Sequence, residues 1–161
     1  MISRLNHKNS IDVYEFVQRT PDSFEDFYIT ENRGRKFIKD LKTINRILKR
    51  QEIYGLIDKE LKAIMIIYKE KGFRSYLKIL SNKIDYTYDL LKFVNWNFYK
   101  KELFIKIKKS NPLFNILRLT NKLGKPRYGF EFLGSRGSEI LLIKKVNTKQ
   151  EKSNGHYFNK D

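Results

Sequence analysis

The apolar residues of this chain change their spacing several times along its length, and each change marks an element. Ile2 to Leu5 is short and extended in character, which predicts a first strand. Ser10 has the chemistry of an N-cap, and Val13, Tyr14, Phe16 and Val17 behind it turn inward from a helix that Thr20-Pro21-Asp22 ends. Ser23 to Gly34 is aromatic and acidic (Phe24, Glu25, Asp26, Phe27, Tyr28) with neither period, and reads as a lid or a packed loop. From Arg35 to Arg50 the residues Phe37, Ile38, Leu41, Ile44 and Leu48 recur at helical spacing. Arg35, Lys39, Lys42, Arg46 and Lys49 take the other side, so this is an amphipathic helix with a basic outer face. Glu52 to Ile57, Leu61 to Lys69 and Phe73 to Leu80 predict a meander of three more strands joined by short turns. Asp85 to Trp96 reads as a helix. In Leu103 to Lys108, Leu103, Ile105 and Ile107 alternate against Phe104, Lys106 and Lys108, as a strand requires. Ser110-Asn111-Pro112 opens a last helix that Gly124 closes, and Tyr128 to Leu133 with Glu139 to Lys145 form a hairpin around Gly134 to Gly137.

The order β-α-α-β-β-β-α-β-α-β-β predicts one mixed α/β domain over residues 1–146, with a central mostly antiparallel sheet flanked by helices. Residues 147–161 are polar and read as a tail. A length of 161 residues fits one core, and 40% hydrophobic with 14% aromatic residues supplies enough apolar surface to bury. Cysteine is absent and the two histidines, His7 and His156, stand near opposite ends. That removes disulfide frameworks, thiolate chemistry, a histidine-built metal site and a Ser-His-Asp triad from consideration. No apolar run is long enough to span a bilayer, so the expected location is the cytoplasm or the inside of a particle assembled there.

Charge changes the picture further. Lys and Arg number 34 against 18 Asp and Glu, a formal net charge of +16, which favours a phosphate-bearing or acidic partner. Part of the excess accompanies the richness in Lys, Asn and Ile of an AT-rich coding sequence. Two segments dominate it: residues 33–50 hold eight basic residues against one acidic, and 100–127 nine against one. Lys106, Lys108 and Lys109 with Arg118 and Lys122 are the candidate nucleic-acid contacts. Trp96, Phe98 and Tyr99 lie beside them in sequence, the mixture a single-strand-binding surface uses.

The ending Asn121-Lys122-Leu123-Gly124, then Gly129-Phe130-Glu131-Phe132-Leu133-Gly134 and Ser138-Glu139-Ile140-Leu141-Leu142, resembles the closing helix, glycine and hairpin of the GCN5-related N-acyltransferases (GNAT superfamily). The opening Ile2-Ser3-Arg4-Leu5 and Ile11 to Phe16 is similar to the start of that family, and the element order agrees. The resemblance implies transfer of an acetyl group from acetyl-CoA to an amine. It also implies a turn after the fourth strand, patterned Arg/Gln-x-x-Gly-x-Gly/Ala, whose amides hold the cofactor diphosphate at a helix N-terminus. The matching positions here run from Leu80 through Asn82, Lys83, Asp85, Tyr86, Thr87 and Tyr88, and contain no glycine. Side chains crowd the approach and Asp85 adds a like charge; the plain alternative is that Asn82 or Asp85 caps the helix. Many relatives carry a proton-donating Tyr where this chain has Thr120, and Tyr86, Tyr88 or Tyr128 are possible substitutes. Glu52, at the start of the second strand, is the candidate general base, against the simpler reading of a solvated strand-end charge. Two functions follow: a divergent N-acyltransferase using acetyl-CoA and an amine acceptor, or a catalytically silent relative whose basic face binds nucleic acid or an acidic protein surface, as in a phage particle.

Overall fold

The alternating segments close into a seven-stranded sheet. In the computed structural model, which describes residues 1–20, 26–31, 34–70 and 72–146, the elements in chain order are β1 (Ile2–Leu5), α1 (Ser10–Arg19), β2 (Tyr28–Glu31), β3 (Gly34–Phe37), α2 (Leu41–Arg50), β4 (Glu52–Asp58), β5 (Glu60–Lys69), β6 (Ser75–Leu80), α3 (Ile84–Asn97), β7 (Leu103–Lys108), α4 (Pro112–Leu117), β8 (Phe130–Arg136) and β9 (Glu139–Lys144). The sheet order is β1-β4-β5-β6-β7-β9-β8, and β2 with β3 forms a separate hairpin. Every neighbouring pair is antiparallel except β6 with β7. The mixed α/β class and the central sheet flanked by helices are as the sequence predicts; the predicted tail lies outside the described residues.

Strand periodicity sorts the core into two layers. Met65, Ile67, Leu77, Ile79, Ile105 and Ile107 face α3 and α4, where Leu90, Leu91, Val94 and Leu117 meet them. Ile64, Ile66, Tyr68, Tyr76, Leu80 and Phe104 face the other way, against Phe16 of α1, Ile44 and Ile47 of α2 and Ile29 of the hairpin. Burial of this kind, worth roughly 25 cal/mol per Å² of apolar surface, is what selects the register, since a one-residue slip would reverse every strand's faces.

Four predicted elements differ. Part of the stretch read as a loop, and the first turn of the helix read as starting at Arg35, are instead the β2–β3 hairpin. Tyr28 stands opposite Phe37 with ring centroids 5.7 Å apart, and the Arg35 guanidinium lies 4.5 Å over the Tyr28 ring. The helix begins only after Asp40, whose carboxylate accepts the Thr43 amide at 2.9 Å and caps it. The last helix stops at Leu117 rather than running to Gly124. Beyond it the amide of Arg127 bonds to the Leu119 carbonyl at 2.7 Å, and Asn121 Oδ1 accepts from the amides of Leu123 and Lys125. Gly124, at φ +78°, thus serves a tight loop that this asparagine organises. The final hairpin turns at Gly137-Ser138, three residues later than Gly134 to Gly137 suggests, because a bulge at Leu133 lets the strand continue.

Lys144 of β9 is buried in this frame. Its Nζ donates to the carbonyls of Phe98 at 2.6 Å and Lys101 at 2.7 Å, tying the turn between α3 and β7 to the neighbouring strand β9. Burial lowers its pKa from 10.5 to about 8. Between those values the unfolded chain binds a proton that the native state does not, so stability contributed at this site rises with pH across the window and is flat below it. Wild-type stability measured relative to Lys144→Met, by urea unfolding at constant ionic strength, should therefore increase from about pH 8 to about pH 10.5. A difference that stays constant across that range would contradict the assignment.

Candidate cofactor and acceptor site

Parallel strands cannot be joined by a tight turn, so the chain leaves β6 at Leu80, returns along the sheet as α3 and enters again as β7. Only Tyr76 and Phe104 are in register across this pair, and beyond them the two strands part. The turn out of β6 is made without glycine. Buried Ser81 takes over, its Oγ accepting the Lys83 amide at 3.1 Å and donating to the Lys83 carbonyl at 2.9 Å.

Lys83 is the N-cap of α3, with φ −130° and ψ 131°, and no side chain caps the helix; neither Asn82 nor Asp85 plays that part. The first intrahelical bond is the Thr87 amide to the Lys83 carbonyl, at 3.3 Å, and Thr87 Oγ1 reaches the same oxygen at 3.5 Å. The amides of Ile84, Asp85 and Tyr86 precede it at the positive end of the helix dipole. Lys83, also exposed, carries its ammonium 5.5 Å over the Tyr86 ring, while Asp85 is exposed on the first turn. Leu80 is fully buried and Tyr88 half-buried. The cofactor-binding candidates are thus contiguous around one helix start, and the amides there have the donor chemistry a diphosphate needs.

On the α3–α4 face the space between the parted strands is nearly filled. Ile79, Ser81, Ile84, Thr87, Asn111 and Leu113 leave about 10 Å³, roughly the room for one water. On the opposite face, a cavity of about 210 Å³ opens between the parted strands and the β2–β3 hairpin. A recess of about 390 Å³ adjoins it at Asp26, Tyr28 and Arg35, but its other walls come from α1 and the hairpin, away from the strand gap.

The two catalytic candidates are not brought to this place. Glu52 accepts a hydrogen bond from Tyr54 Oη at 2.5 Å and lies 3.8 Å from Lys101 Nζ. Tyr54 packs on Phe93 and Phe98, so Glu52 belongs to the end of the sheet where α3 finishes rather than where it starts. Thr120 is exposed and bridges Pro126 in the loop after α4. Of the substitute hydroxyls, Tyr128 is buried and packs against Tyr88 of α3 with centroids 6.3 Å apart; burial, reinforced by Tyr88 and opposed by Arg127, raises its pKa.

The basic residues separate. Lys106 pairs with Glu70 and Lys108 with Asp26, at 3.0 Å, on the hairpin side of the sheet. Arg118 follows α4 on the other side, its guanidinium 5.2 Å over Phe114, and Lys122 and Lys109 are exposed in turns. The single continuous basic surface expected from the sequence is divided by the sheet itself. Sequence reasoning passed over Lys78, a buried lysine inside the otherwise apolar strand Ser75-Tyr76-Leu77-Lys78-Ile79-Leu80; that interruption was the available signal. Among the described residues, no group of three His, Cys, Asp or Glu is placed to hold a metal ion, and no helix is long and apolar enough to cross a membrane.

No protein-family model matches the chain, and no curated protein matches it. Solved structures do. An N-acetyltransferase from Staphylococcus aureus Mu50 superposes with a TM-score of 0.61 over 91% of this chain and 97% of its own, at 16% identity. The ribosomal-protein-S5-alanine acetyltransferase from Vibrio fischeri gives 0.63 over 91% and 92%, at 10% identity. A GNAT-family acetyltransferase from Listeria monocytogenes gives 0.52 over 91% and 94%, at 14% identity. At such low identity the likeness is one of architecture: the chain has the fold of the GCN5-related N-acetyltransferases.

Proposed function

We propose that the chain is an N-acyltransferase that holds acetyl-CoA at the start of α3 and receives an amine from the hairpin side of the sheet. The observation that carries this reading is the parallel pair joined at Tyr76 and Phe104 alone and parted beyond, leading to a helix start that no side chain caps. The amides of Ile84, Asp85 and Tyr86, with Lys83 beside them, suit a diphosphate, and the parted strand edges suit an extended, amide-bearing arm. Acetyl-CoA supplies the activated acetyl group when bound. The hydroxyl offered to the departing thiolate is that of Tyr128 rather than Thr120: Tyr128 packs on Tyr88 of α3, and a phenol is a far better proton donor than the threonine hydroxyl. Tyr128→Phe should lower kcat about 10²-fold or more while leaving the KM for acetyl-CoA within a small factor. An unchanged kcat would remove Tyr128 from the mechanism.

Ligand binding and helix capping compete for the same amides, which gives a paired test. Lys83→Asp introduces a capping side chain and should stabilise the protein by about 1 kcal/mol in urea unfolding. The same change places a carboxylate where the diphosphate would sit. Acetyl-CoA at about 100 times its dissociation constant should stabilise the wild-type protein by about 2.7 kcal/mol, and Lys83→Asp should lose most of that gain. No shift of Tm with acetyl-CoA in the wild type would end the acyltransferase reading.

A second reading rests on the nearly filled space beside Ser81 and Thr87 and on the glycine-free turn: a silent relative that binds nucleic acid through Lys109, Arg118 and Lys122. Its signature is affinity for single-stranded nucleic acid that falls steeply between 50 and 200 mM salt, with slopes reduced by about one for each of these lysines or arginines removed. Binding that is indifferent to salt would exclude it.

A further inference from the structure

The cavity on the hairpin side has a composition that selects its occupant. Its floor is the gap between β6 and β7, and from that floor Lys78, Lys106 and Lys108 rise on the face they share with Tyr76 and Phe104. Arg35 adds a fourth cation from the hairpin, against two carboxylates, Asp26 and Glu139, in the same wall. With Glu70, which pairs with Lys106 from beside the cavity, the described residues set four positive groups against three negative ones, an excess of one positive charge. Tyr28 takes part in holding the cations together, with Lys78 Nζ 4.3 Å and the Arg35 guanidinium 4.5 Å from its ring centroid. Lys78 is 7% exposed, so its charge acts where water screens it little.

An anion already stands at the mouth. Asp26 Oδ2 lies 3.0 Å from Lys108 Nζ, and the Asp26 carbonyl accepts from Lys78 Nζ at 3.0 Å. The chain thereby shows where a carboxylate is stable in this cavity, against Lys108, with Lys78 bonded to the neighbouring backbone carbonyl. Lys108 and Asp26 are both more than half exposed, so exchange of this internal carboxylate for that of a ligand costs little. At about 210 Å³ the space suits a group of amino-acid size.

We infer that this cavity binds the acyl acceptor through an anionic group, so that the acceptor is a small amine that also carries a carboxylate or a phosphate, and that Asp26 occupies the anion position in the ligand-free chain. The assignment rests on the acyltransferase reading for the word acceptor; the anion site itself does not. A dicationic amine is disfavoured here by the same charges that attract the anion.

Isothermal titration of the full chain at low salt with L-glutamate, O-phosphoethanolamine and putrescine tests this, the first two separating a carboxylate from a phosphate as the preferred group. The expected order places one or both anionic amines at least about tenfold tighter than putrescine. Lys108→Glu should weaken the anionic amine by about tenfold, whereas Asp26→Asn, which removes the internal competitor, should tighten it by several-fold. A merely structural contact between these two residues would make both changes act in the same direction. Equal binding of putrescine, no binding of either anionic amine, or no effect of both substitutions would overturn the proposal. Acetyl-CoA-induced stabilisation, measured in the same Lys108→Glu protein, should be unaltered. If it is absent in the wild type while the anion pattern holds, the acyltransferase reading fails and the anion site stands.

Discussion

Two parallel strands that meet at one residue pair organise this molecule. Tyr76 and Phe104 keep β6 and β7 in one sheet, and the separation beyond them leaves two strand edges and a helix start without the partners that a continuous sheet would supply. The requirement for a crossover places α3 over the gap, and the direction of β6 places its positive end there. Everything proposed about chemistry on either face follows from that separation. The α3–α4 face presents backbone amides, and the hairpin face presents cations.

The parts of the fold that were legible in the sequence are those where one period dominated. Leu103 to Lys108 alternates without interruption and forms a strand with those bounds, and the meander from Glu52 to Leu80 is displaced by only a residue or two at its turns. Phe37 and Ile38 misled because they satisfy a helical period with Leu41 and Ile44 as well as a strand. The decision lay with Asp40, whose capping bond fixes the helix start, and with Tyr28, which pairs Phe37 across the hairpin. Gly124 misled in the same way: a glycine after an apolar run reads as a helix end, but Asn121 had already drawn the backbone into a loop.

The place of the candidate site in the fold was legible, and the way it is built was not. Position in the element order was enough to bring Asn82 through Tyr88 to one helix start. The means of making that turn was not, because a serine hydroxyl bonded twice to Lys83 replaces the glycines a pattern would seek. Glu52 was chosen for its residue type and strand position, yet Tyr54 and Lys101 hold it at the opposite end of the sheet. Charge counting found Lys106 and Lys108 but assigned them to a surface; their strand places them under the hairpin, where Glu70 and Asp26 meet them. A linear sequence reports how many charges there are, and the sheet decides on which side each one acts.

The single shared rung also has a mechanical meaning. The strands β1, β4, β5 and β6 form one antiparallel block and β7, β9 and β8 another, each internally laddered. Lys144 fastens the second block to the turn by which α3 leads into β7, so the narrow end of the wedge is braced. The two blocks share one register pair, Tyr76–Phe104, but both core layers run across them, so side-chain packing rather than a hydrogen-bond ladder is what joins the halves of the sheet.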